Sequence, residues 1–317
     1  MNNQKKIIIA VLTSLMMLAG IFFWQSARDT SSIVPEQEPE KKISIVATFY
    51  PLQDFAESVG GDAVRVRSIV PAGVEPHDYE PTPQDIVSIY QADVFLLNGA
   101  GLDSWAEKIR PELARRGVTV VQMSEVVSLL SASTEAEGET QVPDPHFWLD
   151  PIWVEKEIEA IRDTLIMRDP SRAEVYTRNT ERYTALLAGL DTAYREGLRQ
   201  CKFHTIVTSH KAFAYLAQRY GFEIISVSGI SPEAEPSSRT LAEIAGAVRR
   251  LGLRYIFFET LSSPKVAETL ALEVGVETLA FNPIEGLTDE ERQAGKNYLS
   301  VMYENLGNLR TALRCQK

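Results

Sequence analysis

Four side chains, His77, His146, His210 and Glu285, have types and settings that suit metal binding. The chain contains only four histidines, and these three fall in predicted loops, as does Glu285. Three neutral imidazoles and one carboxylate form a tetrahedral ligand set that suits Zn²⁺. Mg²⁺ and Ca²⁺ prefer oxygen ligands. The residue types therefore predict a zinc site made of these four side chains.

The residues around the candidate ligands support this hypothesis. Proline precedes both His77 and His146 and restricts the backbone there. Phe147 and Trp148 follow His146 and would exclude water, which strengthens electrostatic interactions. Several nearby acids could orient the imidazoles by hydrogen bonding: Glu75, Asp78, Glu80, Asp144 and Asp150. The fourth histidine, His204, lies within a predicted strand, and we assign it to packing or to the surface.

The elements that must position these residues form two similar halves. Short apolar strands alternate with helices from Ile43 to Gln122, and the alternation restarts at His204 and continues to Phe281. This pattern predicts an α/β fold of two lobes, each a mostly parallel sheet flanked by helices. The proline-free run Ser171–Gln200 predicts one long helix that bridges the lobes, and a last helix is predicted over Asp289–Leu313. Ligands of open α/β sheets bind beyond the carboxyl ends of the strands, where three of the four candidates lie.

The predicted segments are 1–27, 28–42, 43–170, 171–200 and 201–317. The first is an export signal or an N-terminal membrane anchor, because Lys5 and Lys6 precede the apolar run Ile7–Trp24. The length of that run is close to the roughly 20 residues of a membrane-spanning helix, so a cleaved signal and an uncleaved anchor both remain open. A polar linker, the N-terminal lobe, the linking helix and the C-terminal lobe follow. The export signal predicts an extracytoplasmic protein, in which Cys201 and Cys315 form a disulfide or stay as independent thiols.

Charge and motifs exclude some functions. The chain has 32 Lys and Arg against 43 Asp and Glu, a net charge of −11, which argues against nucleic acid as a partner. The His-Glu-x-x-His spacing of zinc hydrolases is missing from the sequence. We therefore expect that the protein is not an enzyme, and we also expect a monomer. A hydrolase would need Glu285 to act as a general base beside a three-ligand zinc.

Five stretches in a fixed order carry a family resemblance. They are PHDYEP (Pro76–Pro81), DPHFWLDP (Asp144–Pro151), TSHKAFAYLAQRYG (Thr208–Gly221), SPEAEPS (Ser231–Ser237) and FETL (Phe258–Leu261). From about Lys42 to its end, the chain resembles the zinc-type metal-binding receptors of bacterial ABC uptake systems, the cluster A-I solute-binding proteins. The resemblance implies two lobes bridged by a rigid helix. It also implies that Zn²⁺ is captured in the cleft between the lobes and delivered to an ABC permease.

The resemblance also implies ligands. His77, His146 and His210 match its three imidazoles, and manganese-type relatives have a glutamate where this chain has His210. Many relatives place an aspartate where Asn282 stands, and some zinc-type relatives use a glutamate three residues later, which Glu285 matches. Glu285 is the predicted fourth ligand, with Asn282 or a water as alternatives. A manganese or other divalent-metal receptor, or a metal-dependent adhesin that binds a host surface protein, is the alternative function.

Relatives are often lipoproteins with a cysteine after Leu-Ala-Gly. Here Leu18-Ala19-Gly20 is followed by Ile21, so the lipid attachment of those relatives is not expected. An uncleaved N-terminal helix would replace the lipid as the tether.

Overall fold

The computed structural model describes residues 41–133, 141–232 and 236–316, with a few isolated positions before residue 18. The predicted export segment and most of the predicted linker therefore lie outside the described residues. Within the described ranges, no helix is both long enough and apolar enough to cross a bilayer. Residues 42–317 form one compact unit.

The N-terminal lobe is built on a four-stranded parallel sheet in the order β2-β1-β3-β4. The strands are β1 (Ile43–Ala47), β2 (Val64–Ser68), β3 (Val94–Leu97) and β4 (Thr119–Gln122). Helices α1 (Tyr50–Gly60), α2 (Pro83–Tyr90) and α3 (Ser104–Arg115) connect them. All residues of β3 are buried, as expected for a strand covered on both faces.

A short antiparallel pair, β5 (Ser131–Ser133) and β6 (Gln141–Pro143), follows this sheet. The two strands lie at the two ends of the polar, acidic stretch between residues 131 and 143. The chain then passes through a 3₁₀ turn at Phe147–Leu149 into α4 (Pro151–Arg168) and α5 (Ala173–Leu198). Asp150 caps α4, because its side chain accepts a hydrogen bond from the backbone N–H of Ile152.

The C-terminal lobe contains two parallel strand pairs. Strand β7 (Thr205–Thr208) pairs with β8 (Glu223–Ser226), and β9 (Tyr255–Phe258) pairs with β10 (Glu277–Ala280). Strands β7 and β9 lie side by side. The helices are α6 (Ala214–Tyr220), α7 (Ser238–Leu251), α8 (Lys265–Val274), α9 (Asp289–Gln293) and α10 (Tyr298–Leu313). The predicted α/β fold with mostly parallel strands is confirmed.

Helix α5 bridges the two lobes, as predicted. Its 26 residues span about 39 Å at the rise of an α-helix. It packs against α1 and α4 of the N-terminal lobe and against α10 of the C-terminal lobe. Its buried residues recur every three or four positions, the spacing of one helical face: Tyr176, Thr180, Tyr183, Leu187, Leu190, Tyr194 and Leu198.

The last helix was predicted as one unit over Asp289–Leu313, and this prediction is wrong. The helix is broken into α9 and α10 by residues 294–297. Gly295 has φ of 71°, a left-handed conformation that ends helices. Asn297 then starts α10 with a capping box: its side chain accepts from Ser300 N–H, and Ser300 Oγ accepts from Asn297 N–H.

Cys201 and Cys315 form a disulfide, so the pairing left open from the sequence is confirmed. The bond joins the chain after α5 to the chain after α10. Cys201 precedes β7, so the disulfide lies toward the amino-terminal ends of the C-terminal strands. It is therefore at the opposite edge of the sheet from the carboxyl ends that carry the candidate ligands.

Candidate metal centre

Four separate segments bring the predicted ligands together. His77 lies in the loop between β2 and α2, and His146 lies between β6 and α4. His210 follows β7 by two residues, and Glu285 follows β10 by five. The ligand atoms of all four residues lie within 4.8 Å of one another. Three of the residues are buried and His77 is nearly so, with a side-chain exposure of 7%.

Five of the six distances between the four ligand atoms are 3.2 to 3.4 Å, and the sixth, between Nε2 of His77 and Nε2 of His210, is within 4.8 Å. Nε2 of His146 lies 3.2 Å from Nε2 of His77 and 3.3 Å from Nε2 of His210. Oε1 of Glu285 lies 3.4 Å from Nε2 of each histidine. A regular tetrahedron with edges of this length has its centre about 2.0 Å from every corner, the length of a Zn–N or Zn–O bond.

Two of the imidazoles are fixed by carboxylates through their Nδ1 atoms. Nδ1 of His146 lies 2.8 Å from Oδ1 of Asp144, which also accepts from the His146 backbone N–H. Nδ1 of His210 lies 2.6 Å from Oε2 of Glu259, and the His210 backbone N–H donates to Oε1 of the same residue. A proton on Nδ1 that donates to the carboxylate leaves the Nε2 lone pair free for a metal.

The carboxylates and imidazoles of the cluster shift one another's pKa values. Burial lowers the pKa of His210, but the charges of Glu259 and Glu285 outweigh burial and raise it well above its ordinary value. Asp144 and Glu285 likewise overcome burial and raise the pKa of His146. Burial raises the pKa of Glu285, but the imidazoles outweigh it and hold that pKa well below its ordinary value. A metal ion would replace the Nε2 protons of charged imidazoles as the positive charge.

His77 has a different setting. Burial lowers its pKa, although Glu285 opposes the effect. Its backbone N–H donates to Oε1 of Glu75 at 3.2 Å. Burial and the charge of Glu285 raise the pKa of Glu75 to about 9, so this carboxyl is mostly neutral near pH 7.

Glu285 is presented by a tight turn that Asn282 shapes. The Asn282 side-chain oxygen accepts from the backbone N–H of Ile284 at 2.7 Å, and its amide nitrogen donates to Glu291. Ile284 has φ of 58°, which turns the chain sharply just before Glu285. Oε1 of Glu285 lies 3.4 Å from Nε2 of each imidazole of the cluster. Asn282 is occupied within the turn, whereas Glu285 faces the histidines.

The other sequence predictions for this region had mixed outcomes. Phe147 and Trp148 are fully buried, and the Trp148 ring lies 5.2 Å from that of His146. Asp144 hydrogen-bonds to the imidazole of His146 as expected, whereas Glu75 accepts from the backbone N–H of His77. The other three acids do not: Asp150 forms an ion pair with Arg219, and Asp78 and Glu80 are exposed. His204 lies on the surface.

Glu259 was missed as a partner of His210, although it lies in the quoted FETL stretch. Its place directly after β9 was the available signal, because β7 and β9 are neighbours and their carboxyl ends meet.

Comparison with known proteins identifies the family. Residues 45–312 match the profile of ZnuA, described as zinc-uptake complex component A, periplasmic. The chain belongs to this family. High-affinity zinc uptake system protein ZnuA of Bacillus subtilis strain 168 is 33% identical over 310 residues, covering 95% of this chain and 97% of that protein. A family profile that spans both lobes agrees with the resemblance carried by the five sequence stretches.

Two further members of the ZnuA family are informative. Zinc-binding lipoprotein AdcA of Streptococcus pneumoniae serotype 4 is 38% identical over 283 residues, which cover 87% of this chain but 56% of AdcA. This chain therefore spans little more than half of that relative. The crystal structure of the Zn(II)-bound ZnuA-like domain of the S. pneumoniae protein superposes with a TM-score of 0.75 and 39% identity. That match covers 86% of this chain and 99% of the domain.

Proposed function

We propose that the protein is an extracytoplasmic receptor that captures Zn²⁺ in the cleft between its lobes and delivers it to an ABC permease for zinc uptake. His77, His146, His210 and Glu285 are the proposed ligands. The observation that carries this proposal is the cluster of three Nε2 atoms and one carboxylate oxygen, in which five of the six interatomic distances are 3.2 to 3.4 Å. Membership in the ZnuA family supports delivery to a permease.

The donor set favours zinc over manganese. Three imidazoles are borderline ligands that bind Zn²⁺ well, whereas Mn²⁺ is better served by oxygen. A tetrahedron of this size also matches the four-coordinate geometry of structural zinc sites. The manganese receptor therefore stays an alternative that a direct competition between the two ions would decide.

The same geometry argues against a zinc hydrolase. A catalytic zinc keeps a coordination position for water and needs a base beside it. Oε1 of Glu285 is equally distant from the three Nε2 atoms, which is the position of a fourth ligand rather than of a base reaching toward a water. A saturated site suits capture and release of an ion and leaves no position for activated water.

The family name supports an extracytoplasmic location. We further propose that residues 1–27 direct export and that, when uncleaved, they tether the protein to the membrane. Sequencing the N-terminus of the protein from membrane and soluble fractions of the native cell tests this: a mature chain that begins beyond residue 27 would exclude the tether. Monomeric behaviour and the lack of nucleic-acid binding stay predictions, and so does the alternative of an adhesin.

Zinc analysis of the purified protein tests the proposed function directly. We expect one zinc ion per chain after dialysis against trace zinc, and displacement of bound Mn²⁺ by equimolar Zn²⁺. The variants His210→Ala and Glu285→Ala should weaken zinc binding strongly, while His204→Ala, which removes the exposed histidine, should bind like wild type. A protein that takes up no zinc, or that loses none of its affinity in the first two variants, would refute the proposal.

A further inference from the structure

His77 is held differently from the other two imidazoles of the cluster. His146 and His210 are each fixed by a carboxylate on Nδ1. Nδ1 of His77 has no hydrogen-bond partner among residues 41–133, 141–232 and 236–316. A ligand that lacks such a partner depends on its backbone for its orientation. The position of His77 must therefore be set by the loop that carries it, residues 71–82.

One end of this loop is attached to a buried carboxylate in α2. Asp85 is only 4% exposed, and its two oxygens accept four hydrogen bonds. Oδ1 accepts from Nη2 of Arg67 at 2.7 Å. Oδ2 accepts from the Tyr79 hydroxyl at 3.0 Å, from the Thr82 backbone N–H at 3.0 Å and from the Thr82 hydroxyl at 2.7 Å. Asp85 thus accepts hydrogen bonds from one residue of β2 and from two residues of the His77 loop.

The other end of the loop is attached to the opposite lobe. The backbone N–H of Gly73 donates to the carbonyl oxygen of Leu287 at 3.0 Å, two residues beyond Glu285. Gly73 has φ of 74°, a conformation that favours glycine. His77 therefore lies between two anchors: Gly73 on Leu287, and Tyr79 on Asp85. The second anchor is two residues from the imidazole; its polar part is the hydroxyl of Tyr79, whose ring also packs against the apolar core.

We propose that Asp85, acting through the Tyr79 hydroxyl, is a positioning residue that fixes His77 in the zinc cluster and thereby sets the rate at which zinc leaves. The inference rests on the proposed function and adds to it a residue that touches no ligand atom. Hydrogen bonds to an ionised carboxylate are about twice as strong as neutral ones. Losing the Tyr79 bond frees the loop next to His77 and leaves the other ligands in place.

Substitution of Tyr79 is a more selective test than substitution of Asp85, because Asp85 also caps α2. Asp85 also closes a capping box with Thr82, so Asp85→Asn weakens the start of α2 as well as the loop. The side-chain NH2 of an asparagine at position 85 would also face groups that donate hydrogen bonds to the Asp85 oxygens. Tyr79→Phe removes only the hydroxyl and leaves the bonds of Asp85 to Arg67 and Thr82 intact. It therefore separates positioning of the loop from stability of the helix.

The long helix offers a matched control. The Tyr183 hydroxyl donates to Oδ2 of Asp54 at 3.1 Å, and Tyr183 is 6% exposed. This is the same tyrosine–aspartate bond within the same compact unit, but it joins α5 to α1 and includes no residue of the His77 loop. Tyr183→Phe thus loses an equivalent hydrogen bond without touching the proposed anchor.

The test measures zinc release from the zinc-loaded protein after rapid mixing with excess chelator. We expect Tyr79→Phe to release zinc about tenfold faster than wild type and Asp85→Asn about 10- to 100-fold faster. Tyr183→Phe should release zinc like wild type. In the Co²⁺-substituted protein, the d–d absorption of Tyr79→Phe should weaken toward that of a five-coordinate ion as water enters. Thermal unfolding of the metal-free forms should lower Tm for Tyr79→Phe no more than for Tyr183→Phe.

Two results would overturn the inference. One is zinc release from Tyr79→Phe no faster than from Tyr183→Phe. The other is a faster release accompanied by an unchanged Co²⁺ spectrum and a lower Tm than that of the control, which indicates general loosening of the lobe. Failure of the proposed function is a distinct outcome, because then the wild-type protein itself would bind no zinc and there would be no release to compare.

Discussion

The carboxylate of Glu285 gives the sharpest test of the metal centre, through the variant Glu285→Gln. The side chain is 1% exposed, and its Oε1 is 3.4 Å from all three Nε2 atoms. Glutamine keeps the shape and one oxygen but removes the charge. Zn²⁺ would then lie in a buried site with no anionic ligand.

The expected loss follows from the burial of the site. Removing one partner of a buried charge pair costs about 3–5 kcal/mol. At about 1.4 kcal/mol per tenfold change, the Kd for zinc should rise by about two to three and a half orders of magnitude. The pKa of His210 should fall at the same time, because the charge of Glu285 helps to raise it.

Competition against a chromophoric zinc chelator measures the change in Kd, and Glu157→Gln is the matched control. Glu157 in α4 is fully buried, and its two oxygens have no hydrogen-bond partner among the described residues, but it is not part of the cluster. The control should bind zinc like wild type. A Kd for Glu285→Gln within about threefold of the control, well short of the loss expected from a buried charge, would refute Glu285 as a ligand. Asn282 or water would then be the fourth ligand.

Three further predictions use other parts of the molecule. Because the pKa of His210 is raised above 6.5, zinc affinity should fall as the pH drops through that raised value. Calorimetry in buffers of different ionisation enthalpy should detect the protons released when zinc binds. Equal zinc affinities at pH 8 and about pH 5 would contradict imidazole ligation. Glu259→Gln should weaken zinc binding about 10- to 100-fold in chelator competition, and an unchanged Kd would show that Glu259 does not orient His210. Cys201→Ser with Cys315→Ser opens a bridge spanning 114 positions and should cost about 2–5 kcal/mol in denaturant unfolding; a strongly altered zinc Kd would contradict the placement of the disulfide away from the site.

The three histidines could be predicted from the sequence because local signals marked each one. Pro76 and Pro145 stiffen the chain before two of them, and His210 follows a short apolar strand. A residue that follows a strand can be recognised from the local sequence. Because the carboxyl ends of parallel strands lie at one edge of their sheet, that residue also lies at this edge. The strand pattern therefore placed His77, His210 and Glu285 at the binding edges of their sheets, whereas the approach of His146 and the meeting of the two lobes depend on tertiary packing.

Glu259 shows what local signals cannot supply. Its role depends on β7 and β9 lying side by side, and the order of strands in a sheet is decided by packing between segments that are distant in sequence. Asp85 is similar, because its four donors come from a strand, a loop and a helix start. The split of the last helix was predictable in principle, since Gly295 and the Asn297–Ser300 capping box are local features.

The core explains why zinc release should depend on loops rather than on separation of the lobes. The largest cluster of buried apolar side chains takes residues from both lobes and from α5 between them. A wide rotation of one lobe would expose much of this shared core, at a cost of about 25 cal/mol for each Å² of apolar surface. The loop that carries His77 contributes to this core mainly the ring of Tyr79, and is otherwise attached by a few hydrogen bonds. Within the proposed function, moving this loop is the less costly way to open the zinc site, so metal-free and zinc-bound crystals should differ mainly in residues 71–82. A large relative rotation of the lobes between those two forms would show that the shared core does not restrain them.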